Sequence, residues 1–452
     1  MKRRLLDHFL AALGRLALGI FYRRIEFVGR ERLPETGPLL VVANHGNSLV
    51  DPMLLYSFLP WRARFLAKST LWKHPVARWL VKLGDAVPVY RRKDPGVDTR
   101  RNEETFAACY EVLAAGGAIA LFPEGISHDE PRLAPLKTGA ARISLGADEL
   151  HGPIDTRIVP IGLNFEERDR FRSRVLVAVG EPIVPQPAPD DTDPFAGSRR
   201  LTETITAGLE AVTLNYDSWR QAELLEDAVR VFSRPQEDAP SRGELSSHFD
   251  LRQAFIIGYR RLAKIAPDDV ARASAAMRRY QRLLELAGIR DDQVASRYPL
   301  RVVSGFALRN LALLLIRVQI TILGTVLNWL PYRLPGWITG AFRMPADMRA
   351  TYKVLISLVT FPVFWLAEGL AVGAWLGPRF GVATALAAPV AGYLALLTIE
   401  RYRNFHHEAR AYLLLRRGGP LAEELRECRL RVRAEVEHLV GVYLATVEAG
   451  TG

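Results

Sequence analysis

The chain has 452 residues, 49% of them hydrophobic and 24% charged, a composition that excludes a disordered or collagen-like polypeptide and leaves room for more than one domain. Its 60 Lys and Arg against 49 Asp and Glu give a net charge of +11, which favours an anionic partner, either nucleic acid or an acidic membrane surface. Two cysteines far apart in helix-like stretches, Cys109 and Cys428, exclude a disulfide framework and a cysteine metal site, and point to a reducing compartment.

The N-terminus opens on Lys2, Arg3 and Arg4 and stays largely apolar to Phe21. Arg15 interrupts the run and no small-residue cleavage site follows, so residues 1–24 read as an amphipathic helix lying in a membrane interface, with Leu6, Leu10, Leu13 and Ala17 at helical spacing. An ordinary surface helix packing on the domain is the competing reading. From residue 25 to 185, short apolar runs alternate with helix-like segments, as expected of an α/β domain. Residues 39–43, 118–122, 158–163 and 175–179 read as buried strands, and 52–58, 74–82 and 98–115 as helices. Residues 185–191 have the composition of a linker, and residues 186–300 form a helical region, helix-like over 199–232 and again over 251–288.

Region 301–400 changes character. Residues 354–376 carry one charge, Glu368, and 382–399 carry none; each is long enough to cross a hydrocarbon core of ~30 Å. Only a Gly-Pro-Arg-Phe-Gly turn separates them, so 354–399 reads as a transmembrane hairpin. Basic residues on both flanks place both of its ends on the cytoplasmic side. The earlier apolar segment 311–330 contains Arg317, Gln319 and Asn328 and reads as interfacial or re-entrant. Residues 401–452 form a basic helical tail. Because the basic residues cluster beside apolar spans and do not interleave with aromatics on a soluble face, nucleic acid is not the expected partner.

Chemistry concentrates at the ends of the strands. Residues 44–52 read Asn-His-Gly-Asn-Ser-Leu-Val-Asp-Pro and deliver His45 and Asp51 into a strand-to-helix turn. An imidazole beside a carboxylate can take a proton from a hydroxyl. Asp51 before Pro52 also reads as a helix cap with proline at the first helical position, a role that can coexist with support of His45. Tyr90-Arg91-Arg92-Lys93 follows a short apolar run and suits a phosphate. Phe122-Pro123-Glu124-Gly125 ends a strand with a carboxylate and a glycine, and Val159-Pro160-Ile161 is an apolar strand with a proline.

These four stretches, in this order, resemble the four motifs of the glycerolipid acyltransferase superfamily, which includes glycerol-3-phosphate and lysophosphatidic acid acyltransferases. Two features depart from the common pattern. Five residues separate His45 from Asp51, one more than usual, and Gly125 is followed by Ile126-Ser127-His128-Asp129 instead of Thr-Arg-Ser. With Leu136-Lys137-Thr138-Gly139 and the apolar hairpin, they resemble the branch containing the microsomal glycerol-3-phosphate and dihydroxyacetone phosphate acyltransferases.

The resemblance implies an α/β acyltransferase domain with a strand core and surrounding helices, then a helical region and the transmembrane hairpin. It implies a membrane-bound O-acyltransferase with its catalytic domain on the cytoplasmic side. Acyl-CoA or acyl carrier protein would be the co-substrate, and glycerol 3-phosphate or a lysophospholipid the acceptor, with no metal or other cofactor. His45 would be the general base and Asp51 its orienting carboxylate. Arg91 and Arg92 would bind the acceptor phosphate, Glu124 and Gly125 would shape the acceptor site, and Lys137 would reach the phosphate. Backbone amides after His45 are candidate oxyanion donors. The alternatives are acylation of lysophosphatidic acid and a non-catalytic membrane lipid-binding protein of the same fold.

Overall fold

The computed structural model describes all residues except Met1, His74, 92–97, 187–192, Pro194, 234–247, 296–299, 417–418 and 451–452. Arg92 and most of the 185–191 linker therefore lie outside the described residues. The chain divides into two compact units, Met1–Asn215 with Met344–Val354, and Tyr216–Arg343 with Leu355–Gly452.

The first unit begins with α1 (Lys2–Phe21), β1 (Arg24–Val28) and β2 (Leu39–Ala43), followed by α2 (Val50–Phe58), β3 (Ala63–Lys68), α3 (Pro75–Leu83) and β4 (Val87–Val89). It continues through α4 (Asn102–Ala114), β5 (Ala118–Leu121), α5 (Gly139–His151), β6 (Arg157–Phe165), β7 (Arg174–Val179) and α6 (Ala196–Glu210). The seven strands form one sheet in the order β1-β7-β6-β2-β5-β3-β4. All neighbours are parallel except β6 and β7, which are antiparallel.

β2 lies at the centre of this sheet and is wholly buried, which is why it reads as an unbroken apolar run. Its residues alternate between two faces. Leu39, Val41 and Ala43 share a core with Leu18, Phe21 and Tyr22 at the end of α1, and with Val50, Leu54 and Leu55 of α2. Leu40 and Val42 are buried on the other face, the side on which α4, α5 and α6 contact the sheet. The turn leaving the C-terminal end of β2 thus rises from the central, fully buried strand of the sheet. Strands β1 and β3 escape sequence reading because Arg24, Glu26, Arg64 and Lys68 break their apolar pattern.

In α1, Ala11, Leu18 and Phe21 are buried, whereas Leu5, Phe9, Leu16 and Ile20 are exposed apolar side chains. The helix is therefore apolar on two sides, and its outward side matches an interfacial helix better than a water-facing one.

The helix-like stretch 199–232 is two helices, α6 and α7 (Trp219–Phe232). They are split where Ser218 caps α7 by accepting from the Gln221 amide. The stretch 251–288 is likewise two helices, α8 (Phe249–Ile265) and α9 (Pro267–Ala287), because Pro267 cannot continue a ladder and instead starts the second. The second unit continues with α10 (Asp291–Ala295), α11 (Leu300–Ala341), the greater part of α12 (Ala346–Leu376), α13 (Pro378–Arg416) and α14 (Pro420–Gly450). A buried trio of Arg429, Asp291 and Tyr280 joins α14, α10 and α9.

Two helices, Ala346–Leu376 and Pro378–Tyr402 within α13, are long and apolar enough to cross a membrane. Most of their apolar surface is exposed, including Val359, Val363, Leu366, Leu370, Leu386 and Val390, unlike the core helices of a soluble protein. Segment 311–330 lies inside the continuous helix α11. There Asn328 is buried, donates to Ala388 O of α13 and accepts from Trp365 Nε1 of α12, so its polar group is satisfied away from water.

Candidate active site

The turn after β2 holds the two candidate catalytic residues, His45 and Asp51. His45 Nδ1 donates to Asp51 Oδ2 at 2.9 Å. The proton is assigned to Nδ1 because an ionised carboxylate only accepts, which leaves the Nε2 lone pair free to act as a base. Asp51 is fully buried, and its Oδ2 also accepts from the Asn47 amide at 2.7 Å. Helix α2 starts at Val50 with Leu49 at its cap position, so Asp51 sits inside the first turn and is not the cap. Its charge is favourable there. Between His45 and Asp51 the five-residue turn passes through Ser48 at φ +40°, and the pair closes at hydrogen-bonding distance.

The backbone of His45 and one face of its ring are held in place. Its ring stacks on Phe122, with centroids 4.1 Å apart and planes 14° from parallel. Its amide donates to Glu124 Oε1 at 2.7 Å, and its carbonyl accepts from the His128 amide at 3.2 Å. Asn44 exchanges two hydrogen bonds with the backbone of Leu163 on β6, which fixes the exit of the chain from the sheet. Asn47 donates to Tyr22 Oη and to Arg168 O. Burial first, and then the nearby Asp51 carboxylate, push the Tyr22 phenol well above its usual range; it stays neutral and donates to Arg168 O.

Glu124 is buried behind His45. Besides the His45 amide it accepts from the Ala134 amide at 2.7 Å and from His128 Nε2. His128 Nδ1 accepts from the Glu130 amide, so both ring nitrogens of that histidine are occupied and it offers no free base. Glu124 therefore shapes the site from behind. Substituting Glu124→Gln puts an amide donor where an acceptor is needed, and is expected to cost about 1–3 kcal/mol of stability in chemical denaturation. An unchanged midpoint would contradict the role described.

Gly125 has φ +71°. A Cβ built there would lie 2.5 Å from Lys137 Nζ, so the lysine head occupies the space a side chain would take. Arg91 donates to Gly125 O at 3.0 Å. Two cationic heads thus converge on the residue following Glu124, which gives one side of the site a positive character suited to phosphate. Among the described residues no cluster of three or more metal-ligating side chains occurs.

The oxyanion expectation narrows. The amides of Asn47, Ser48, Leu49 and Val50 all have acceptors within the chain, which withdraws them as donors. Sequence reading missed Phe122 as a stacking partner, and also Ser127, Arg168, Asp347 and Thr351. Arg168 donates to His128 O, Glu130 O and the Asp129 carboxylate and so ties down the 128–130 segment; it is a loop arginine with no pattern to mark it.

Residues 24–164, which include His45, Asp51, Arg91, Glu124, Gly125 and Lys137, match the family model described as Acyltransferase. The chain is 27% identical over 296 residues to glycerol-3-phosphate O-acyltransferase 2 of Saccharomyces cerevisiae, covering 60% of this chain and 38% of that protein. It is 31% identical over 144 residues to a chloroplastic 1-acyl-sn-glycerol-3-phosphate acyltransferase of Brassica napus, covering 31% of this chain and 40% of the relative. The chain thus spans about two fifths of the length of each of these curated relatives. Among solved structures, the 1-acyl-sn-glycerophosphate (LPA) acyltransferase from Thermotoga maritima aligns with a TM-score of 0.34 at 19% identity, covering 46% of this chain and 81% of that one.

Proposed function

We propose that the chain is a membrane-associated O-acyltransferase that moves a fatty acyl group from an acyl thioester, acyl-CoA or acyl carrier protein, to glycerol 3-phosphate. The observation that carries this reading is the His45–Asp51 hydrogen bond at 2.9 Å, with Asp51 fully buried and Nε2 of His45 left as the base. His45 Nε2 takes the proton of an acceptor hydroxyl as its oxygen attacks the thioester carbonyl. Asp51 stabilises the imidazolium that forms. The tetrahedral intermediate collapses, the C–S bond breaks, and the thiolate leaves with the proton held by His45, so no acyl-enzyme is required. The Gly46 amide, which has no acceptor among the described residues, is the turn donor available to the oxyanion.

Arg91 and Lys137 bind the acceptor phosphate in this reading. Arg91→Ala is expected to raise KM for glycerol 3-phosphate by roughly 10–100-fold with kcat changed only a few-fold, because it removes binding common to the ground and transition states. An unchanged KM would remove Arg91 from the acceptor site.

Glycerol 3-phosphate is preferred as acceptor because the similarity to the yeast relative extends over 60% of the chain. Lysophosphatidic acid is the second reading, supported by the 31% identity to the Brassica relative over 144 residues. Both offer a hydroxyl near a phosphate, and an acceptor panel with purified protein separates them. The exposed apolar helices α12 and α13, with basic residues on both flanks, support a membrane anchor that keeps the catalytic unit on the cytoplasmic side. Alkaline carbonate extraction tests the anchor, and release into the soluble fraction would argue against it.

A further inference from the structure

The first turns of α12 do not belong with the rest of that helix. Met344–Val354 is part of the acyltransferase unit, and Ala350 and Val354 are buried in the same core as Val41, Ala43, Val50 and Leu54. From that position α12 reaches the catalytic turn directly. Thr351 Oγ1 accepts from the Leu49 amide at 3.0 Å and lies 3.5 Å from Asn47 O, to which it donates. One turn earlier, Asp347 Oδ2 accepts from Ser48 Oγ at 3.2 Å. Lys353 Nζ donates to Asp169 O at 2.6 Å and pairs with its carboxylate, which fixes the helix against the loop before β7.

The need for such a brace follows from the turn itself. Ser48 is a non-glycine residue in the left-handed region, a conformation that persists only where its surroundings impose it. Leu49 precedes α2, so its amide is one of the helix's orphan donors and has no partner within its own helix. Thr351 is 7% exposed, so bulk water does not readily substitute for its hydroxyl. Asn47, whose carbonyl Thr351 contacts, is the residue whose amide holds Asp51.

We propose that Thr351, assisted by Asp347, is a positioning residue for the His45–Asp51 pair, so that the start of an apolar, membrane-compatible helix completes the catalytic turn. This rests on the acyltransferase reading above. It goes beyond that reading by making α12 part of the catalytic machinery as well as an anchor. One continuous helix then serves both the loop that carries the base and the apolar stretch that continues to Leu376. Neither residue touches substrate; both act through the geometry of residues 46–51.

The test uses the full chain in phospholipid nanodiscs, as wild type, Thr351→Val, Thr351→Ser and Asp347→Ala. Two quantities are read: amide hydrogen exchange of peptides covering residues 44–52, and steady-state kinetics with glycerol 3-phosphate and acyl-CoA. Thr351→Val is nearly isosteric and removes the hydroxyl. It is expected to speed exchange across residues 46–50 about fivefold or more while peptides from β5 and β6 keep wild-type rates. It is also expected to lower kcat about tenfold with KM within about twofold, and Thr351→Ser is expected to restore both. Should Thr351→Val loosen the whole sheet, Asp347→Ala, which removes the acceptor of Ser48 Oγ, decides, with faster exchange confined to 46–50 and kcat lowered about threefold as the expected result. Wild-type exchange in the deciding variant, or faster exchange with unchanged kcat, overturns the proposal. If the wild type transfers no acyl group to any acceptor, the functional reading fails and the positioning role with it; exchange that still loosens in Thr351→Val then shows a structural brace only.

Discussion

Replacing His45 by alanine is expected to lower kcat for acyl transfer by about 10²–10⁴-fold, the range a positioned general base contributes. The base acts only in the transition state, so KM for the acceptor should hold within a few-fold. The substitution removes a side chain at the edge of a turn whose backbone is held independently. The amide of residue 45 still bonds Glu124, its carbonyl still receives the His128 amide, and Asn44 still clasps Leu163. Asp51 keeps the Asn47 amide as a donor, so the buried carboxylate is not stripped of every partner. The variant should therefore fold with its sheet intact, and circular dichroism with acyl-CoA kinetics on the same preparation checks both halves of the expectation.

Asp51→Asn is expected to lower kcat by about 10²–10³-fold, less than the ~10⁴-fold loss that accompanies a flipped imidazole tautomer in a serine protease triad. The difference comes from Asn47. Its amide hydrogen points at Oδ2, the same oxygen that receives His45 Nδ1, so an asparagine at position 51 must present its carbonyl oxygen there to avoid facing two donors. The proton then stays on Nδ1 and Nε2 remains a base. What is lost is the negative charge that stabilises the imidazolium. In the double variant His45→Ala with Asp51→Asn, the loss should equal that of His45→Ala alone, because the carboxylate acts only through the imidazole. Additive losses would mean that Asp51 has a separate role in the reaction.

Much of this site was legible in the sequence because its residues lie at the ends of short, strongly apolar strands. β2 and β5 announce themselves as buried runs, and His45 and Glu124 follow them within three residues. The sheet then does what strand ends in an α/β fold do and brings both residues to one edge, since β2 and β5 are parallel neighbours in the sheet. Arg91 was legible for a similar reason, following β4 at the same end. The braces were not legible. Thr351 and Asp347 lie about 300 residues from the turn they hold, in a segment whose apolar character describes a membrane helix and says nothing of the buried threonine near its start. Arg168 and Ser127 are polar loop residues whose partners are backbone atoms or other loop side chains, contacts that leave no periodic trace.

The break between α8 and α9 was readable in principle, since Pro267 marks it, whereas the break between α6 and α7 depends on a single capping serine. Asp51 illustrates a different limit. Asp followed by Pro is a good cap signal, yet the helix starts two residues earlier, at Val50, whose amide closes a turn onto Asn47 O. That earlier start places the carboxylate under His45. The turn between His45 and Asp51 passes through the left-handed Ser48, which Ser127 and Asp347 both contact.

The most direct measurement is acyl transfer by the purified full chain in phospholipid nanodiscs, with labelled acyl-CoA and glycerol 3-phosphate, run beside the His45→Ala variant. The wild type should form a mono-acylated glycerol phosphate with release of one free thiol per acyl group transferred, and His45→Ala should form about 10²–10⁴-fold less. Equal turnover by the two proteins, or no transfer by the wild type to any phosphate-bearing hydroxyl acceptor, would contradict the account.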